Sequence, residues 1–458
     1  MKRLIYTFIT ISVVAMGCVS CSKSFFEQYP SNSITEGNHY QTEDDFKQGL
    51  MACYAKLKTQ SGFIINELGY RSDESLLESM AVSTQDRYDL DHFAENSSNG
   101  LLADVWDAWY NGIYRCNDLL DHAEDKTFEK LPEYCAEALF IRSWYYFNLY
   151  RVFGVVPVVT SVVTPSDAKL VPRCTQEQMY QRLYDDLNLA AASLPKSRST
   201  EKGRVCDIAA YTLLGKVALT FGKYEDAKTA LEAAMKNTSF GLETSTARVF
   251  DVMTNKGNKE VIFRLCYDKS VDAGHGYYFS SNTGVAADRH KPTQPSLDLY
   301  SAADNRRGLL EFNKISSSVY VMTKWYDTYD ATFNTIVGND YILLRYSDVV
   351  LMYAETMARQ GNMEQACIYL NKTRTRAGLS TFNTTDLNEF IRELADERGR
   401  EFIDEGHRWF DLVRLGLAVD YFTSLGYNID SHNLVMPVPQ NQIELYNNSQ
   451  ILWQNPGF

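Results

Sequence analysis

Bulky apolar residues recur at three- and four-residue steps through Leu139, Phe140, Trp144, Phe147 and Tyr150. That spacing places them on one face of an α-helix, while Tyr145, Tyr146 and Phe153 make its other faces apolar too. The stretch from Ala136 onward therefore predicts a central helix that neighbouring helices must grip on several sides. Gly154 supplies the positive φ that closes a helix and Pro157 cannot extend one, so the chain should leave abruptly through the β-prone run Val155–Val159.

The same periodicity predicts helices before and after it. Thr42 and the acids behind it open one that carries Phe46, Leu50, Cys53, Tyr54 and Leu57. Residues 62–100 break the pattern and read as loops with short turns, after which Val105, Trp109, Cys116, Leu119 and Leu120 restore it. Thr175 caps a further helix with Met179, Leu183 and Leu187 inside and Pro195 beyond. Two later segments resemble each other: Gly222, Tyr224 and Ala227 stand at the same offsets as Gly361, Met363 and Ala366, each set between two apolar helical stretches. Such a repeated bend is the tetratricopeptide style of helical hairpin. Between them, residues 249–335 hold short β-prone pieces, Glu260–Leu265 among them, and aromatic loops, and a loop-rich insertion in a helical frame is where function concentrates. With no long Pro/Gly/Ser linker inside the chain, the expected organisation is mainly α: an N-terminal part over 41–240 packed as one body with a C-terminal part over 241–458.

Charge and the first residues change this picture. A net charge of -13 argues against a nucleic-acid partner, which needs clustered Lys and Arg. Lys2 and Arg3 precede an apolar run, Leu4–Met16, shorter than the ~20 residues that span a bilayer, as in a secretory signal over residues 1–20. Gly17, Cys18, Val19, Ser20 and Cys21 then resemble a bacterial lipobox. Cys21, behind the small residue Ser20, is the favoured lipid anchor, with Cys18 as the alternative and residues 21–40 as a tether. The other cysteines are scattered without Cys-x-x-Cys or nearby His spacing, so they read as core residues and no metal site or cofactor is expected.

Taken in order, the motifs resemble the SusD/RagB family of nutrient-uptake outer-membrane lipoproteins. They run from Trp106–Tyr110 and Cys116–Leu120 through Arg142–Leu149 to Gly203 and Arg204. Arg345–Asp348, Asn371–Gly378, Glu397–Glu401, Glu405–Arg414 and Gln454–Phe458 complete the series. The resemblance implies a SusD-like helical fold without enzymatic activity. It also implies a lipid-anchored protein at the outer face of the outer membrane, which binds glycans and hands them to a SusC-type TonB-dependent transporter; peptide capture is the alternative within the family. It assigns the binding surface to the early loops and the middle insertion, so Tyr70, Arg71, Asp73, Tyr88, Tyr277, Tyr278, Trp325 and Tyr326 are the candidates, with Trp325 foremost. Aromatic rings cover the C–H faces of a sugar and a few polar groups fix its hydroxyls.

The competing reading is a glycoside hydrolase. Glu397 and Glu401 lie one helical turn apart, with His407 and Asp411 following. A glycosidase needs two carboxylates across an open cleft, one with a raised pKa. Arg398, Arg400, Arg408 and Arg414 are interleaved with these acids, which predicts an ion-pair network that keeps them ionised.

Overall fold

The computed structural model describes residues 40–60, 68–75, 85–198, 201, 203–251, 258–267, 280–282, 292–314, 319–326, 328–330, 335–337 and 339–458. Cys18, Cys21, Tyr277 and Tyr278 lie outside the described residues.

Helix α1 (Glu43–Gln60) opens on Thr42, whose Oγ1 accepts from the Asp45 N–H at 3.3 Å, and it buries Phe46, Leu50, Cys53 and Leu57. A short α2 (Gln85–Asp91) leads to α3 (Gly100–Ala123), capped by Asn99. The central helix α4 (Leu131–Phe153) buries 17 of its 23 residues. It begins five residues before Ala136 because Pro132 suits the first turn, where no backbone donor is needed. Helices α1, α3 and α5 (Gln176–Ser193) pack around it.

Gly154 closes α4 at φ 71°, as its position implies, but Val155–Val159 forms no strand. Side chains satisfy its backbone instead. Tyr146 Oη donates to the Val159 carbonyl at 2.6 Å and accepts its N–H at 2.7 Å, while Tyr110 Oη donates to the Pro157 carbonyl. The run makes an isolated antiparallel bridge of Pro157 with Arg173, where the Cys174 N–H donates to the Val156 carbonyl at 3.1 Å, but with those other groups taken it does not extend into a strand.

The two similar segments form matching hairpins, α6 (Asp207–Thr220) with α7 (Tyr224–Met235) and α8 (Tyr346–Arg359) with α9 (Met363–Arg376). Gly222 and Gly361 hold φ 71° and 81°, and the next N–H in each, from Lys223 or Asn362, donates at 2.8 Å to the carbonyl of Ala218 or Met357. Fully buried Ala227 and Ala366 allow each helix pair to approach closely, and α7 packs on α8.

Between the hairpins, β1 (Val261–Leu265) pairs antiparallel with β7 (Tyr341–Arg345). Strands β2 (Ser280–Asn282), β3 (Phe312–Lys314) and β4 (Val319–Met322) form a small sheet in the order β2-β4-β3, and β5 (Thr328–Asp330) pairs with β6 (Thr335–Val337). Helices α10 (Leu387–Phe402), α11 (Arg408–Leu415) and α12 (Ala418–Ser424) follow. The C-terminal tail returns to the end of α4, where Arg173 donates to the carbonyls of Val155 and Trp453 and to Asn455 Oδ1, and Asn455 donates to Phe153 and Met436. One hydrophobic cluster runs from Tyr40 to Leu452, and Cys53, Cys116, Cys135, Cys174, Cys206 and Cys367 form no disulfide. Among the described residues no helix is long and apolar enough to cross a membrane.

Candidate functional site

Most acids and bases from Glu397 to Asp411 are interior groups that pair with each other and with distant elements. Arg398 meets Asp411 at 2.7 Å and Asp348 at 2.9 Å. Arg306 meets Asp304 and Glu397 at 2.8 Å and Glu401 at 2.9 Å. Arg345 holds Glu260 at 2.9 Å, Glu401 at 2.6 Å and Glu405 at 2.8 Å, and Arg376 joins it on Glu260 and Glu401. Arg414 closes the set on Glu355 at 2.8 Å.

Burial alone would raise the Glu401 carboxyl, but Arg376, Arg345 and Arg306 overcome it and hold the group well below the usual carboxylate range. Asp411 is held down likewise, against burial, by Arg398 and Arg414. Burial, followed by the nearby Lys216, lowers His407 and keeps its ring neutral. Arginines thus hold Glu401 and Asp411 ionised.

Other carboxyls shift the opposite way: burial raises half-buried Asp396 of α10, and also Glu74 and Asp404. Burial pushes Asp404 up to about 7, with Lys324 partly opposing and Glu405 reinforcing the rise, and burial with Asp404 and Asp73 raises Glu74. Neither can reach a substrate, since their exposures are 2% and 3%. Asp404 also takes the left-handed backbone conformation, at φ 57°, which closes the turn between α10 and α11.

Several residues expected on the ligand surface are internal. Tyr70 is buried. Arg71 pairs with Glu95 at 2.7 Å and lies 4.7 Å over the rings of both Phe93 and Trp409. Asp73 takes Arg408 at 2.7 Å and the Tyr421 hydroxyl at 2.5 Å. Trp325 is only 2% exposed and meets Phe250 edge-on at 5.2 Å. Its neighbour explains this: Lys324 sends its ammonium inward to Glu405 at 2.7 Å and to the Ile403 carbonyl, carrying the segment with it. These four candidates are corrected to structural residues. Tyr326, the next residue, is 48% exposed, and half-buried Tyr88 stacks on His92 at 3.8 Å. His92 escaped the sequence reading, although its four-residue offset from Tyr88 was the available signal.

The two candidate regions converge on a single turn. Residues 403–408 hold the early loop through Arg408 and Asp73, and the insertion through Glu405, the Ile403 carbonyl and Lys324. A β-bridge between Ser75 and Pro292 joins the same two regions again, with the Thr293 N–H donating to the Glu74 carbonyl at 3.3 Å. Among the described residues no group of His, Cys, Asp and Glu could hold a metal ion.

Two family descriptions match the chain: "SusD family" over residues 311–458 and "Starch-binding associating with outer membrane" over residues 30–219. SusD-like protein P2 of Formosa agariphila is 26% identical, with all of both chains covered. The starch-binding protein SusD of Bacteroides thetaiotaomicron is 24% identical over 76% of each. A solved laminarin-binding SusD-like protein superposes with a TM-score of 0.78 at 23% identity, covering 92% of this chain and all of the other.

Two consequences can be measured. Trp325→Ala should cost about 3–5 kcal/mol of stability, seen as a lowered melting temperature, as for a truncated core aromatic; an unchanged melt would place the ring back at the surface. For Asp404 the folded-state pKa lies above the ordinary 3.8, so the native state keeps a proton that the unfolded chain releases. That protonation costs no stability at pH 4, and the burial penalty grows as pH rises toward 7 and stays level above it. Asp404→Asn should therefore match the parent at pH 4 and gain about 1–3 kcal/mol at pH 8 in urea denaturation. A gain independent of pH would refute the assignment.

Proposed function

The chain belongs to the SusD/RagB family, and from that premise we propose that it is a non-enzymatic glycan-binding protein of the outer membrane, anchored by lipid on Cys21. In this reading it captures oligo- or polysaccharide at the cell surface and delivers it to a SusC-type TonB-dependent transporter. The observation that carries the binding role is the convergence of the early loop and the insertion on the 403–408 turn, with Tyr326 and the Tyr88–His92 stack on the same two regions. The ion-paired state of Glu397, Glu401 and Asp411 supports capture over cleavage. Starch binding in one relative and laminarin binding in one structural neighbour favour a glucan as the first ligand to try.

The purified protein should be retarded in affinity gels containing starch or laminarin, leaving polysaccharide length unchanged. Release of shorter oligosaccharides would overturn the reading, and retention by a peptide resin alone would move it to peptide capture. If Tyr326 forms part of the shelf, Tyr326→Ala should weaken binding by about 1–2 kcal/mol, roughly 5- to 30-fold, with the melting temperature unchanged. For the anchor, Cys21→Ala should move the protein out of the membrane fraction and Cys18→Ala should not; continued attachment of the Cys21 variant would refute lipidation there.

A further inference from the structure

The end of α4, the end of α6 and the length of α11, together with His407 of the 403–408 turn, line an open cavity of ≈ 280 Å³. It is far larger than the ~30 Å³ share of one water and is of a size to take a monosaccharide. Its walls mix apolar surface from Tyr150, Phe410 and Val413 with the polar groups of Thr220, Lys216 and Arg151.

The charges around it do not balance locally. Lys216 is neutralised by Asp348 at 2.6 Å, and Arg414 by Glu355 at 2.8 Å and Asp411 at 2.7 Å. Asp411 is also held by Arg398 at 2.7 Å. Arg151 is left over. Its guanidinium is sandwiched 4.5 Å over Phe147 and 3.8 Å over Phe410, its Nη2 donates to the Asn148 amide oxygen, and its Nε has no hydrogen-bond partner. Among the described residues no carboxylate lies within ion-pair distance of it. Burial lowers its pKa to about 9, with Asp411 opposing, so it remains a cation at neutral pH. Arg151 is half-buried, but its Nε is withdrawn from solvent without a partner, which is costly for a cation without a counter-ion, and two aromatic rings hold the guanidinium at the wall of a space that could admit one.

We propose that this cavity is a second ligand site, selective for a monosaccharide-sized carboxylate such as a uronic acid, with Arg151 as its counter-ion. The fork of a guanidinium matches the two oxygens of a carboxylate better than it matches a point anion. The Tyr150 ring can cover the C–H face of a sugar. The Thr220 hydroxyl, which donates to the Lys216 carbonyl at 2.8 Å, keeps lone pairs free to accept from a ligand hydroxyl.

Calorimetric titration of the purified full chain with D-glucuronate, D-glucose and sulfate tests the assignment. Glucuronate should bind, glucose should give no heat at the same concentrations, and sulfate should compete weakly. Arg151→Met, which keeps an apolar stem between the two rings, should weaken glucuronate at least about tenfold, the loss of one charge-assisted hydrogen bond. Its melting temperature should stay level or rise, because a cation without a counter-ion has been removed. Glucan retention, which rests on Tyr326 and not on Arg151, should be unaffected, so failure of either site is seen separately. Should Arg151→Met not fold, Val413→Trp fills the cavity from its half-buried wall and should abolish glucuronate binding. Absence of glucuronate heat, equal binding of glucose or sulfate, or unchanged affinity in the variant used would overturn the proposal.

Discussion

The buried arginine–carboxylate network centred on α10 and α11 is the constraint on which the rest of the structure depends. Its members come from the early loop (Asp73), α6 (Lys216), the insertion (Arg306 and Lys324), the β1–β7 pair and its flank (Glu260 and Arg345) and the second hairpin (Asp348 and Arg376). Transferring such ions from water is expensive, and their mutual attraction repays it only in good geometry with hydrogen bonds satisfied. That condition tolerates few alternatives. A hydrophobic interface can slide by a fraction of an ångström at little cost, whereas Arg345, shared among Glu260, Glu401 and Glu405, cannot. The network therefore acts mainly by specifying position.

This explains which parts of the architecture were legible in the sequence. Helices α1, α4 and α5 and the paired hairpins follow from periodicity and from Gly222 and Gly361, because a helix announces its buried face at a fixed repeat. The interleaving of acids and arginines from Glu397 to Arg414 likewise announced ion pairing, although not the partners, which stand up to hundreds of residues away. Trp325 was illegible for the converse reason. In a stretch without sustained period, burial is decided by a tertiary contact, here the inward reach of Lys324 to Glu405, and no local pattern encodes it. Arg71 and Asp73 misled in the same way, since a polar pair in a loop reads as ligand-facing until Glu95 and Arg408 are seen to take it. Val155–Val159 shows the limit of propensity: tyrosines elsewhere in the chain claimed its backbone first.

The network also bears on what kind of site the fold can host. Catalysis by a carboxyl group needs one whose pKa can be tuned and whose oxygen reaches the substrate. Here Glu401 and Asp411 are held ionised by surrounding arginines, and Asp404, driven to the neutral range, is sealed inside a turn. Binding has weaker requirements: exposed flat rings and hydroxyl partners on a rigid base. Tyr326 stands one residue from an anchored Lys324 and an interior Trp325, so its ring is carried on a support that scarcely moves.

Fixing the loop stems by charge has a further consequence for how such a fold can change its ligand. Asp73 on Arg408, Lys324 on Glu405 and the Ser75–Pro292 bridge hold the entry points of the early loop and the insertion. Once the stems are fixed, lengthening a loop costs only a slowly growing closure entropy, roughly 0.6 kcal/mol for each doubling. Surface loops of this kind tolerate exchange of residues better than the elements they connect. A charged interior in this sense permits exchange at the rims. Relatives that keep the fold at about a quarter identity are the outcome expected when position is specified from inside and recognition is written at the edges.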